Sequence, residues 1–451
     1  MRWLEKDRME AVSALRRVRA PAPSAAGEDS PRGRDQIAEM LGASIERNRY
    51  GEFLRLERWL AEPEPCANPE ALALVLPSLA ESSVLRDSEQ WLFLDTETTG
   101  LSGGTGTCAF LVGLAWWERG GLRIEQLFLR DYDEEHAVLF ALAERMAQRP
   151  VLVTYNGKSF DWPLLDTRFR LTRQIEPEAF RAHLDLLHPA RALWRLEWGT
   201  ARLGELERHV LGIERGPDIL GELIPQIYFD FLRGGSAQPL VPVFRHNQSD
   251  LSSLAALAGH MARLAAAPEQ AQPLEQYGLS RLFERRGERS RARRVYEMAI
   301  ASGLPVALGR AARRRLARLA RRDGAVDLAH SLWQELAAEN HGQAWQSETL
   351  SAFSGEDDPA ERKQTLETIL EACEQLAIHA ERIERDAAEA ILWTRRAEHL
   401  LAEADGIDRR CRERWQARLA RRLERLNRAP NRAISRLTGT APNPARRPAR
   451  G

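Results

Sequence analysis

The sequence predicts an α/β domain followed by an all-α helical domain. Three observations predict it. Between residues 88 and 265, short apolar and β-branched runs alternate with helical patterns. Two of those runs lead directly into carboxylates, at Asp95 and, past a short turn, at Asp161. From residue 270 the composition shifts to Ala, Leu, Arg and Glu, and the strand pattern disappears.

Taken in order, residues 1–35 read as a flexible segment rich in Pro, Ala and Ser, and residues 36–87 as a helical lead-in. Five strands are expected: 91–95, 109–117, 122–130, 151–155 and 183–188. A Gly-rich stretch, 100–106, joins the first two, and glycines beside carboxylates let a substrate backbone approach closely. No Walker Lys-Ser/Thr follows it, which excludes a P-loop NTPase. Helical periodicity marks 134–148, the residues after Asp161, an excursion over 195–235, and a stripe of Leu251, Leu254 and Leu257.

Three motifs carry chemistry. In Trp91-Leu-Phe-Leu-Asp-Thr-Glu97, a strand that alternates its faces sets Asp95 and Glu97 side by side. Like charges that close need a proton or a cation between them, and hard oxygen ligands suit Mg²⁺ or Mn²⁺. In Asn156-Gly-Lys-Ser-Phe-Asp161, the Asn-Gly pair turns the chain and Pro163 fits a helix's first turn. Taken alone, Asp161 in that setting is a helix N-cap. In His246-Asn-Gln-Ser-Asp250, the His and the Asp share a face if the helix begins early enough, and suggest a general base beside a metal ligand.

Together and in this order, the motifs resemble the DEDD superfamily of 3′-5′ exonucleases. The wider matches Thr98-Thr-Gly-Leu-Ser-Gly-Gly-Thr-Gly-Thr, Phe110-Leu-Val-Gly, Leu211-Gly-Ile-Glu-Arg and His246-Asn-x-x-Asp resemble the bacterial YprB-like ribonuclease H-like domain, over residues 88–265. The resemblance implies a ribonuclease H-like fold with a mixed five-stranded sheet flanked by helices. It implies two Mg²⁺ or Mn²⁺ ions on Asp95, Glu97, Asp161 and Asp250, with His246 as the base. Asn156, Lys158 and Phe160 are expected to meet substrate, a single-stranded DNA or RNA. One departure stands out: three residues separate His246 from Asp250, the spacing of the Tyr-type enzymes, where the His-type has four. Asp185 reads as a supporting or structural residue, and His183 and His188 as structural or substrate-facing.

Over 270–400, Leu282, Gly287, Ala292, Tyr296 and Ala299 recur as Leu319, Gly324, Ala329, Trp333 and Leu336, with a degenerate third copy at Leu376, Ala390, Trp393 and Ala397. The pattern resembles tetratricopeptide repeats, which present a surface to protein partners. A plain helical bundle is the alternative. Residues 401–451 read as a basic helix and an Arg-rich disordered tail, suited to phosphate backbones. The whole chain is nonetheless neutral, with 65 basic and 65 acidic residues. Four scattered Cys exclude a disulfide scaffold or a Cys-x-x-Cys zinc site, and the absence of a long apolar run excludes a membrane span; a cytoplasmic location is expected. The leading function is a metal-dependent 3′-5′ exonuclease. A structure-selective endonuclease and a non-catalytic nucleic-acid-binding scaffold are the alternatives.

Overall fold

The computed structural model describes residues 32–76, 82–100, 106–216, 218–338, 359–404 and 407–428. The expected N-terminal flexible segment before residue 32, most of the Gly-rich stretch and the Arg-rich tail after residue 428 lie outside them.

The chain begins with helix α1 (Arg32–Leu41) and a hairpin of β1 (Ser44–Asn48) and β2 (Gly51–Leu60). After short 3₁₀ turns come β3 (Trp91–Thr98), β4 (Ala109–Glu118) and β5 (Gly121–Phe128). Helix α2 (Glu135–Gln148), β6 (Val151–Thr154), α3 (Asp161–Thr172), β7 (Ala182–Asp185) and α4 (Leu187–Trp198) follow. A helical turn (Leu203–Leu206) runs into a π turn (Glu207–Leu211), then α5 (Ile224–Leu232) and the 27-residue α6 (Leu240–Ala266).

The sheet has seven strands in the order β1-β2-β5-β4-β3-β6-β7. Neighbours are antiparallel from β1 to β3, and β3-β6 and β6-β7 are parallel. The five expected strands are all present in a mixed sheet. The helical lead-in is corrected: residues 44–60 are strands and extend the sheet to seven. Their alternating Glu and Arg imitate helical ion-pair spacing, but the charges pair across strands. Arg55 of β2 meets Glu46 of β1 at 3.5 Å and also bonds Glu125 of β5. The last strand is shorter than expected, because the chain turns helical at Leu187 with Pro189 in the first turn; His188 therefore lies on α4, not on a strand.

The β4–β5 hairpin turns through two residues, Arg119 and Gly120, with φ of 54° and 78°. Both angles are positive, as a type I′ turn requires. Alternation along β3 sends Trp91 and Phe93 into one core and Leu92 and Leu94 into the other. Helix α6 serves both, with Leu240, Val243 and Phe244 in one and Leu251 through Ala265 in the other.

The second half is helical: α7 (Pro273–Arg286), α8 (Arg289–Ala301), α9 (Val306–Arg322), α10 (Val326–Ala338), α11 (Pro359–His379), α12 (Ala387–Glu403) and α13 (Arg409–Arg428). The repeat glycines Gly287 and Gly324 sit between paired helices at φ of 88° and 79°, and Arg385 at 61° does the same between α11 and α12. These helices share one continuous core with α6 and one face of the sheet. The junction is close. Trp194 Nε1 of α4 donates to Glu275 of α7 at 2.7 Å, both buried. A Cβ on Gly278 would lie 2.5 Å from the Ala192 carbonyl.

The basic helix α13 is present, but much of its charge is used internally. Arg414 pairs with Glu367 at 2.6 Å, Arg418 with Glu374, and Arg422 (3.1 Å) and Arg425 with Glu381. The three glutamates recur every seven residues along α11 and its π-turn extension, which puts them on one stripe facing α13.

Candidate active site

Strand β3 ends on Asp95 and Glu97, α3 begins on Asp161, and α6 carries His246 and Asp250. The structure brings these five together, and the charges of Asp161 and Asp250 reach both Asp95 and Glu97. Burial, and then the charges of Asp250, Glu97 and Asp161, push the Asp95 carboxyl well above its ordinary range. Burial, with Asp250, Asp161 and Asp218, pushes Glu97 up to about 8. Burial also raises Asp161, against the hydrogen bond it receives from Thr96. That bond, Thr96 Oγ1 to Asp161 Oδ1 at 2.6 Å, ties the strand end to the start of α3. Asp161 is the first residue of its helix, and Phe160 occupies the cap position.

Helix α6 begins at Leu240, ten residues before Asp250, so His246 and Asp250 lie one turn apart on it. His246 Nε2 is 3.5 Å from Asp250 Oδ2. His246 Nδ1 is 2.9 and 3.0 Å from the two oxygens of Asp218. An Nδ1–H donating to that carboxylate leaves the Nε2 lone pair facing the acids. Asp218 is partly buried, which favours its neutral form, but bonds from His246 and Arg215 hold it below its ordinary value.

Arg215 is the hub of this side. It bonds Glu207 through Nε and Nη2, Asp218 through Nη1 at 2.9 Å, and one oxygen of Asp250 through Nη2. Glu207 is 1% exposed and balances the Arg215 charge, so Arg215 leaves the acid cluster in net negative excess.

Asn247 occupies the next position on α6 and is fully buried. Its Nδ2 donates to Asp95 Oδ2 at 2.8 Å, and its Oδ1 accepts from Gln126 Nε2 of β5, also at 2.8 Å. Asp95, Gly113 and Gln126 face one another across β3, β4 and β5. Asn247 lies over the middle of that row, where a Cβ on Gly113 would come within 2.1 Å of its Oδ1.

The loop to Asp161 is held from below. Buried Asp185 accepts from the backbone N–H groups of Asn156 (2.8 Å), Lys158 (3.1 Å) and Leu187 (3.1 Å). Asn156, not Gly157, takes the left-handed conformation, at φ 68°. Gly157 is needed for space, since its Cβ would meet Thr154 at 2.5 Å. Lys158 is exposed, and Phe160 is 59% exposed beside Asp161. His183, bonded to Thr154 Oγ1 at 2.9 Å, is lowered to about 4, by burial first and then by Lys158.

Sequence reading missed Asn247, Arg215, Asp218 and Glu207 as parts of the site. Arg215 stood in a quoted motif without a role, and Asp218 lay unremarked within the excursion over 195–235. Asp218 reaches His246 from 28 residues away and Arg215 reaches Asp250 from 35, along an irregular segment where no periodicity links them, and Asn247 meets Asp95 across 152 residues.

The donor set consists of carboxylate oxygens crowded in a shielded place, which fits hard divalent cations. Among the described residues, the ligand-type atoms that lie within 4.8 Å of one another as a group of three are those of His330, His379 and Glu384, in the helical region and remote in the chain from these acids. The family described as the RNase_H superfamily matches residues 92–262. A Bacillus subtilis (strain 168) protein described as "Uncharacterized protein YprB" is 34% identical over 248 residues, 54% of this chain and 59% of that protein. The chain thus spans about three fifths of that relative's length. Among the described residues no helix is long and apolar enough to cross a membrane.

Proposed function

With residues 92–262 forming a domain of the RNase H superfamily, whose nucleases cleave nucleic acid with divalent metal ions, we propose that this protein is a 3′-5′ exonuclease working through two ions. The observation that carries the reading is the convergence of Asp95, Glu97, Asp161 and Asp250 with His246 at the end of β3. Asp95, Glu97, Asp161 and Asp250 would hold the ions, Mg²⁺ or Mn²⁺. Such a pair, when bound, supplies an activated water and a charge sink for the leaving oxygen.

The remaining roles belong to side chains. His246 takes the water's proton at Nε2, and Asp218 keeps its Nδ1 protonated and the ring in place. Asn247 fixes the rotamer of Asp95. Phe160 offers a face for the terminal base to stack on, Lys158 meets a phosphate, and Asn156 orients the strand end. The products are nucleoside 5′-monophosphates. The paired helices of the second half are read as tetratricopeptide-like and as a surface for a protein partner.

The test is degradation of 5′-labelled single-stranded DNA and RNA with Mg²⁺ or Mn²⁺, wild type against Asp95→Ala. A 3′-shortening ladder that requires metal and vanishes in a folded Asp95→Ala variant is expected. Cleavage of a circular substrate would make the enzyme an endonuclease instead. Full activity in Asp95→Ala would overturn the site.

A further inference from the structure

We propose that the cleft beside the loop to Asp161 is the track for the phosphodiester backbone of a single-stranded substrate; this rests on the nuclease reading above and deepens it. The cleft holds about 540 Å³ and is lined by Tyr155, Asn156, Arg191, Arg195, Thr200 and Arg202, among others. Asn156, which starts the loop to Asp161, is one of its lining residues and joins the cleft to that loop.

Its charge is one-sided. Arg191 and Arg195 stand one turn apart on the exposed face of α4, about 6 Å along the axis. Arg202 comes from the following loop. That loop is anchored: Gly199 ends α4 in the left-handed conformation at φ 69°, and the Tyr155 hydroxyl donates to the Ala201 carbonyl at 2.5 Å. Among the described residues, none of the three guanidinium groups has a carboxylate or other side-chain partner. The contrast lies within the same molecule, where arginines on packed helix faces, such as Arg314, Arg318, Arg418 and Arg422, meet glutamates.

Unpaired cations spaced along one wall attract a polyanion by releasing its counterions. Phe160, exposed at the other end of the same loop, adds a stacking face. Cations with an adjacent exposed aromatic are the combination that single strands need, whereas a duplex keeps its bases stacked on each other.

The full chain carrying Asp95→Ala is titrated into 5′-fluorescein-labelled 12-mers of deoxythymidine and of uridine, by anisotropy, over a range of salt. The triple substitution Arg191→Ala, Arg195→Ala and Arg202→Ala is expected to weaken binding at least 30-fold. It also flattens the plot of log affinity against log salt by about 2, for three phosphates on a single strand. The same three positions changed to Lys keep the charge and restore the slope. Arg285→Ala, Arg294→Ala and Arg322→Ala remove equal charge from the helical region and leave binding within about twofold. Wild-type affinity and slope in the first triple variant would overturn the cleft, as would equally tight, equally arginine-dependent binding of polyglutamate. If the unsubstituted chain cuts nothing while this pattern holds, the nuclease reading fails and the cleft stands. If it cuts but the triple variant binds unchanged, the reverse is true.

Discussion

At the residue scale, Arg215 is the side chain whose removal has the clearest physical consequence. Glu207 is buried, and Arg215 neutralises it through two bonds. Arg215→Ala leaves a buried, uncompensated carboxylate and is expected to cost about 3 kcal/mol of stability, read from denaturant melts. Adding Glu207→Gln removes the orphaned charge and should recover most of that loss. If it recovers none, the pair is not what stabilises this corner. Asp95, Glu97 and Asp161 were legible as candidates because they end or open an element with a strong pattern, and His246 and Asp250 because a stripe of Leu follows them within α6. Asp218, Glu207 and Arg215 were not, because they find one another only when a π turn and an irregular segment fold over α6. Asn156 was legible as a turn residue, but the division of labour was not. The left-handed angle belongs to Asn156, and the space to Gly157.

At the scale of elements, three strands and one helix set Asp95. The row Asp95, Gly113, Gln126 lies under Asn247, and Gly113 has no room for a methyl group. Gly113→Ala should push Asn247 off Asp95, with a loss of about 2 kcal/mol, the range for overpacking, and about tenfold or more in cleavage rate. Pairing it with Asn247→Ala relieves the crowding and should return the stability but not the rate. A double variant that regains both would show that Asn247 does not position the acid. The strands β3 to β7 were readable from apolar runs. The β1–β2 hairpin was not, because its one buried stretch is short (Phe53, Leu54, Leu56) and its charges mimic a helix surface. The glutamate stripe of α11 was also hidden, and the net charge of α13 read alone suggested a free basic surface.

At the scale of the whole molecule, the helical region behaves as part of the same body as the sheet. Its core is continuous with that of α6, and it touches α4 through the Trp194–Glu275 bond and the Gly278 approach. Helix α4 carries two of the cleft arginines, so the helical region buttresses the wall on which a strand would lie. A chain ending after residue 267 strips the cover from Trp194 and from the inner half of α6. It is expected to bind an apolar dye, melt at least 10 °C lower or aggregate, as exposure of a large apolar surface dictates. A truncated chain that melts at the wild-type temperature without binding dye would show that the sheet domain is self-sufficient. The continuity of the core was not legible in composition, which changes sharply near residue 270 while the packing does not.

The two-residue turn at Arg119-Gly120 has a consequence for how the chain tolerates changes of length. It fixes which residue of β5 faces Gly113, and thereby delivers Gln126 to Asn247. A single inserted residue in either strand would reverse the facing of every side chain beyond it. The hairpin tip, at the opposite end of the strands from the acids, therefore meters the active site. Relatives that keep this centre should vary in the length of the loops after β3 and before α5, and hold the β4–β5 connection constant.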